Sequence, residues 1–399
     1  MMRILVVTEQ YWPEGGGIEL ATHLIIKLLS QIDDMEFVVV TGTEKPKNED
    51  WEEYLYVPTL DCTNKYALWF HLFRIRNRKW FEKLIDSVDA VYVPRYCYPV
   101  IPSAKKKGVK TVVHLHDYQP ISPGAAIFPN SDGRNLLEKI EDEIRSELIK
   151  YQSKSRAFLS GFTVPLNKLV QKWVGQADDI ICVSRRQVEI IKKEAPGLAD
   201  KIRVVYNPPP EISKRVEGPP EKNFLYTGGD DPLKGIHVLF GALSRACKNN
   251  NWECTLTKVH QKKWRRFFQE LGSRSDCTFH VNGKVNYTEL KKIRSNSAAL
   301  IFPSIWEEPL PFAIMEAMLS GTIPIASRVG GVSEMVEGTY GEELLFEPGN
   351  ANRLSRKMER VNDLSPDELR EIGSSLREKG TSKFEREKIK QKFVNTFKS

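Results

Sequence analysis

The stretch PSIWEEPLPFAIMEAMLSG (303–321) sets three carboxylates among apolar residues and prolines. Ala313, Ile314, Met315, Ala317, Met318 and Leu319 surround Glu316. A carboxylate in such company is costly without a partner. Two partners fit: a buried arginine, or the paired hydroxyls of a sugar or ribose, from which a carboxylate accepts hydrogen bonds. Glu308 lies just before the helix that Pro311 opens and Gly321 ends, where the helix dipole favours a negative charge. It either caps that helix or faces the same cleft as Glu316 at another depth. Two carboxylates in one cleft also raise the chemistry of a retaining glycosidase.

Four other loops hold residues suited to chemistry. Gly15, Gly16 and Gly17 follow the first apolar run and precede an amphipathic helix, so backbone and helix N-terminus can approach an anion. The pattern is not GxGxxG, so no nicotinamide cofactor is indicated. In HLHDYQP, strand alternation puts His114 and His116 on one face, with His116 nearest the strand end. In LYTGGDDPLKG, Gly228, Gly229 and Gly235 bracket Lys234 ahead of a helix, a plausible diphosphate clamp without the GK[ST] of a P-loop. Gly330 and Gly331 repeat the theme before Glu334.

These loops need a scaffold of strands and helices. Val/Ile-rich runs at 3–8, 36–42, 89–94, 110–116, 178–184 and 202–208 alternate with helical patterns, as parallel strands buried on both faces do. The proline-rich 207–223 reads as a stiff linker. The alternation restarts with strands expected at 223–229, 252–259, 277–283, 298–304, 322–327 and 343–348. The fold class is therefore α/β, with two Rossmann-like doubly wound domains, 1–208 and 209–379, and a cleft between the carboxyl ends of their sheets.

The length of 399 residues suits two domains. The net charge of +7, from 59 basic and 52 acidic residues, suits an anionic ligand or an acidic membrane surface. No stretch reaches the ~20 apolar residues of a membrane span, and the opening apolar run is too short for a signal-peptide core. Six cysteines without a CxxC pair point to a reducing, cytoplasmic setting and no zinc site.

Together the glycine loop, HDY, the YxGG…KG turn and PSxxEEPLPFAIMEAMxxGxxPIASxxGGxxE resemble the retaining GT-B glycosyltransferases of family four. The resemblance covers nearly the whole chain and is most specific over 302–349. It implies transfer of a hexosyl unit from a nucleotide sugar to an acceptor hydroxyl, in a glycan, a lipid-linked or a small sugar, with no metal and no cofactor beyond that donor. It places Glu308 and the backbone of Leu310, Pro311 and Phe312 at the donor sugar, and Glu316 at the ribose. Lys234 would contact the diphosphate, Gly16 and Gly17 the diphosphate and acceptor side, and His116 the donor sugar or departing group. Gly229 and Val285 complete the implied donor contacts. A final helix, about 380–399, would cross back onto the first domain.

The chain departs from that pattern twice. Gly229 stands where an arginine is common, with Asp230 and Asp231 after it, and Arg328 is one candidate replacement. Pro311 lacks the N–H that a glycine there would offer. These changes keep open a subunit that binds nucleotide sugar without turnover, and an epimerase on the same fold is a further alternative. No nucleic-acid partner is expected. In KYALWFHLFRIRNRKWFEK (65–83), Trp69, Leu72, Phe73 and Trp80 can share a basic helix's apolar stripe. That suggests peripheral contact with an anionic membrane, on the inner face of which a cytoplasmic enzyme would sit, or else a helix packed on the core.

Overall fold

The structure, a computed structural model, describes residues 1–46, 53–62, 64–129, 133–212, 221–247 and 252–399. The first half runs β1 (Met2–Thr8), α1 (Gly17–Leu29), β2 (Met35–Thr41), β3 (Glu53–Tyr56), α2 (Lys65–Ile75), α3 (Lys79–Asp86), β4 (Ala90–Val93), α4 (Ile101–Lys106), β5 (Lys110–Leu115), α5 (Leu136–Tyr151), α6 (Lys154–Gly161), α7 (Asn167–Val174), β6 (Asp179–Cys182), α8 (Arg185–Glu194) and β7 (Ile202–Val204). The second runs β8 (Glu221–Tyr226), α9 (Ile236–Ala246), β9 (Glu253–Leu256), α10 (Lys262–Ser273), β10 (Thr278–Val281), α11 (Tyr287–Asn296), β11 (Ser297–Phe302), α12 (Phe312–Ser320) and β12 (Ile323–Ala326). Helices α13 (Val332–Val336), α14 (Tyr340–Glu343), α15 (Ala351–Asn362), α16 (Pro366–Lys383) and α17 (Arg386–Lys398) follow.

Both sheets are parallel, in the orders β3-β2-β1-β4-β5-β6-β7 and β10-β9-β8-β11-β12. The chain reverses direction between β1 and β4 in one sheet and between β8 and β11 in the other. At such a switch point the loops diverge and leave a crevice at the strands' carboxyl ends. The glycine loop, Lys234 and Glu308 follow β1, β8 and β11, so the topology gathers them at these two crevices.

The central strands β1, β4, β5 and β11 are buried along nearly their whole lengths, which explains their unbroken apolar runs. Helix α17 packs on α1 and β5 of the first domain. Phe393 meets His114 with ring centroids 5.7 Å apart, and Phe397 meets Tyr92 at 5.7 Å. Residues 213–220 of the proline-rich linker lie outside the described residues.

Three expectations are corrected. Strand β3, EYLY, was not foreseen; it is a four-residue edge strand, half exposed. The run ELLFEP (343–348) is not a strand but a single bridge, Phe346 to Ser327, because α14 takes its start. Residues 65–83 form two helices, not one. Trp69 and Leu72 are buried, with Trp69 edge-on to Trp173 of α7 at 5.1 Å and its Nε1 donating to the Tyr96 carbonyl at 2.9 Å. The stripe proposed for a membrane is therefore largely core; of its members, Trp80 alone is exposed.

Candidate active site

Helix α12 starts at Pro311, whose φ of −73° suits an N-cap, and stops at Gly321, where φ is +76°. Its residues from Ile314 to Met318 are all buried, so Glu316 cannot reach bulk water and must find a partner. That partner is Arg294 of α11, Nη2 to Oε2 at 2.6 Å, with both residues under 5% exposed. The hydroxyl of Tyr287, the first residue of α11, donates to the other oxygen, Oε1. The buried arginine that the sequence left open is thus present.

Glu308 is also buried but does not cap α12. Its Oε1 accepts from Lys234 Nζ at 2.6 Å and from Ser304 Oγ at 3.0 Å. Lys234 further lies 5.2 Å from the Trp306 ring centroid. The loop after β11 is pinned to the loop after β8 by the Ile305 amide on the Leu233 carbonyl at 2.9 Å. The cation and carboxylate are thus held together at the second switch point.

The first domain faces them. A Cβ on Gly17 would stand 3.5 Å from the Phe312 ring, so the glycine loop touches the first residue of α12. Gly16 donates its amide to Glu19 Oε2 at 2.6 Å, and Glu19 Oε1 holds Arg95 at 2.7 Å. Arg95 also reaches Glu9 at 3.3 Å. Burial pushes the Glu9 carboxyl up from 4.5 to about 7, against the pull of Arg95. Below this cluster, His116 stacks on His114 with ring centroids 3.9 Å apart. Burial, helped by Arg95, pushes the His116 imidazole down to about 3. His116 is therefore neutral at pH 7.

Several buried polar atoms in this region have no protein partner: His116 Nε2, Tyr118 Oη and Trp306 Nε1. Buried polar groups are normally satisfied, so orphans between two domains point to a polar ligand. Tyr118 lies within electrostatic reach of Glu307, Arg186 and Glu308. Val285 follows β10 beside Tyr287, and Leu310 is buried next to Pro311.

Against Gly229, where the arginine is absent, lies Lys258, after β9, which the sequence reading missed. A Cβ on Gly229 would lie 2.9 Å from Lys258 Cβ and from its carbonyl oxygen, and φ at Gly229 is +65°. Only a glycine lets the Lys258 backbone approach this closely. Asp230 fixes the approach, its Oδ2 accepting the amides of His260 at 2.6 Å and Gln261 at 3.0 Å. Asp231 accepts from Leu233 N at 2.9 Å. Both aspartates are turn-builders. The Lys258 side chain keeps an open surface, yet desolvation and the adjacent Lys234 lower its pKa, with Lys284 and Arg294 adding repulsion and Glu316 attraction. It thus lies among the residues expected at the donor. Arg328 does not; it lines a separate cavity.

That cavity, about 880 Å³, opens between the domains and is walled by Arg185, Arg186, His237, Glu307, Arg328 and Glu334 among others. Lys234, Glu308 and Glu316 are not in its walls; Ile305 and Glu307 connect it to them. Glu307 is buried, bonded to Arg186 of the first domain at 3.1 Å and to the Gly330 amide. Glu334 accepts from the amides of Arg185 at 3.2 Å and Arg186 at 3.4 Å, at the N-terminus of α8, and from the Tyr206 hydroxyl at 3.0 Å. Carboxylates of the second domain therefore clamp the first.

Family models match both halves of the chain: "Glycosyltransferase Family 4" over residues 15–208 and "Glycosyl transferases group 1" over 210–378. The chain belongs to this glycosyltransferase family. It is similar to an MMP alpha-(1->4)-mannosyltransferase of Mycolicibacterium hassiacum, 28% identical over 231 residues, 54% of this chain and 55% of that protein. It is also similar to a glycogen synthase of Mycobacterium tuberculosis, 27% identical over 236 residues, 56% of this chain and 54% of the other. The chain spans about half the length of the curated relatives it matches. Among solved structures, sucrose-phosphate synthase from Thermosynechococcus elongatus superposes with a TM-score of 0.73 at 18% identity, over 100% of this chain and 98% of that one. Anabaena HepE in complex with UDP and glucose gives 0.70 at 18% identity over the whole of both chains. These likenesses establish the GT-B fold.

Proposed function

We propose that this protein is a hexosyltransferase that moves a sugar from a nucleotide sugar to an acceptor hydroxyl with retention of configuration. The observation that carries this reading is the Lys234–Glu308 pair at the β8/β11 switch point, opposed by the glycine loop of the other domain. A cation and a carboxylate 2.6 Å apart are matched to a ligand with an anionic diphosphate next to hydroxyls. UDP-sugars are the first donors to test, since the HepE neighbour was solved with UDP and with UDP-glucose. The acceptor is a carbohydrate or a lipid-linked hydroxyl.

In this reading Lys234 turns from Glu308 to the diphosphate, and Glu308 accepts from the donor sugar's hydroxyls. Lys258 supplies the second diphosphate cation in place of the arginine absent at Gly229. Glu316 keeps Arg294 and offers its remaining lone pairs to the ribose. The backbone after Glu308, at Leu310 and Phe312, lies against the sugar, and Val285 against the base. His116, being neutral, hydrogen-bonds a sugar hydroxyl. The bond from the anomeric carbon to the β-phosphate oxygen breaks while the acceptor oxygen bonds to the same face. The acceptor's proton passes to the departing phosphate. The protein's part is to orient both substrates and to stabilise charge on the diphosphate. No step requires Glu316 as a nucleophile.

The test is binding and turnover together. Isothermal titration with nucleotide sugars should show saturable binding that Lys234→Ala weakens, and labelled donor should release nucleotide when acceptor is present. Binding with no release under any acceptor would leave a non-catalytic subunit instead. An altered sugar in the absence of acceptor would indicate epimerisation.

A further inference from the structure

One face of the first domain exposes several large apolar side chains. Phe158, Leu159 and Phe162 of α6 and the turn after it are 61%, 64% and 68% exposed. Phe70 of α2 is 58% exposed, and Leu166 and Leu169, at the start of α7, are 40% and 39% exposed. Single exposed hydrophobes are ordinary, but large contiguous ones mark a contact surface.

The helices share this side because their other sides are used. Gly161 lets α6 press on Ile140 and Ile144 of α5. Trp173 of α7 packs against Trp69 of α2 at 5.1 Å and against Phe73 at 5.8 Å. What faces inward is Ala157, Gly161, Val170, Trp173, Leu68 and Trp69; the residues between them are left outside. Phe158 and Phe162 touch edge to face with centroids 5.3 Å apart, forming one ridge.

The charge carried by α2, α6 and α7 themselves has one sign. No Asp or Glu occurs from Lys65 to Phe81 or from Lys154 to Ala177. Arg74, Lys154, Lys168 and Lys172 are exposed and have no ion-pair partner among the described residues. Arg156 is the exception, bound to Glu147 at 2.9 Å. Exposed acids, Glu138 and Glu141, lie on the neighbouring α5, and Asp178 follows α7.

We infer that this face of α2, α6 and α7 docks the protein on an anionic lipid bilayer, the phenylalanines entering the acyl boundary and the lysines meeting lipid phosphates. Exposed aromatic and leucine side chains within a basic surface are the pattern of an interfacial membrane contact, and each surface Lys or Arg adds attraction to acidic lipid. A second copy of the chain fits less well. Two copies of this face would set one basic surface against another, and like charges brought together are costly. Among the described residues no helix is long and apolar enough to cross a membrane, so the contact is peripheral. The inference stands apart from the glycosyl-transfer reading and does not need it.

Co-sedimentation with vesicles tests it, using phosphatidylcholine alone and phosphatidylcholine mixed with phosphatidylglycerol. The wild-type chain should pellet with the anionic vesicles, remain free with the neutral ones and be released by high salt. Phe158→Ser with Phe162→Ser should cut the bound fraction about tenfold, and Lys168→Glu with Lys172→Glu should do the same. Circular dichroism should be unchanged in both, since all four side chains are exposed. Equal binding to both vesicle types, or binding unaffected by the double serine variant, overturns the inference. So does a wild-type dimer in sedimentation velocity that the serine variant converts to monomer without any vesicle binding.

Discussion

At the scale of single residues, the carboxylates of 307–316 have three different jobs. Glu308 holds a lysine, Glu316 holds a buried arginine, and Glu307 ties the domains together. Lys234→Ala should weaken donor binding at least tenfold, on the order of 1.5–3 kcal/mol for a charge-assisted contact. Arg294→Met should cost about 3 kcal/mol or more in urea denaturation, because it strands the Glu316 charge in the core, and Tyr287→Phe about 1 kcal/mol. Glu9 gives a pH signature. Its carboxyl is raised to about 7 when folded against 4.5 unfolded, so the folded chain holds the extra proton between those values. The stability it contributes is complete below 4.5 and is lost as pH rises through 7. Glu9→Gln should flatten that decline, with a gain at pH 8 relative to pH 5 of roughly 2–3 kcal/mol at most; a variant whose stability tracks wild type at both pH values would reject it. The loop positions of Glu308 and Lys234 were legible because these residues follow strands and precede helices. Arg294 was not legible as the partner of Glu316, since nothing local relates residues on two different helices.

At the scale of elements, the long apolar strands were readable because burial on both faces leaves an unbroken run. The failures were elements without that signature. Strand β3 is only four residues long and half exposed, and ELLFEP has strand-like composition but begins at the last residue of α14. The α2 stripe was visible as a stripe, yet composition does not say which way it turns, and Trp173 decided that. The β9–α10 loop was the largest omission at the site. Its TLTKVH sequence carries no glycine signal, and only the oddity of Gly229-Asp230 pointed to it. The two form one device, since glycine admits Lys258 and Asp230 anchors the loop. Gly229→Arg should therefore fail to restore a missing cation. It meets Lys258 at 2.9 Å with a backbone φ of +65° and should destabilise the chain by about 1–3 kcal/mol. Thermal unfolding with and without donor would check this, and a tighter-binding variant of undiminished stability would contradict it.

At the scale of the whole molecule, the tandem doubly wound architecture followed from the repeated alternation of strands and helices, but how the halves meet did not. They meet through the apolar face of α17 and through charge. Glu334 sits at the N-terminus of α8 from the opposite domain, where the helix dipole favours it, and Glu307 holds Arg186. Glu334→Ala should loosen this closure and raise the radius of gyration in small-angle scattering; an unchanged value would mean that other contacts hold the domains. The central claim is that the cleft takes a nucleoside-diphosphate sugar between Lys234, Lys258 and Glu308. Isothermal titration of UDP-, GDP- and ADP-sugars into wild type, Lys234→Ala and Lys258→Ala tests it most directly. The account predicts saturable binding of at least one donor to wild type and clear loss of affinity in each variant. No saturable binding of any donor, or wild-type affinity in both variants, would contradict it.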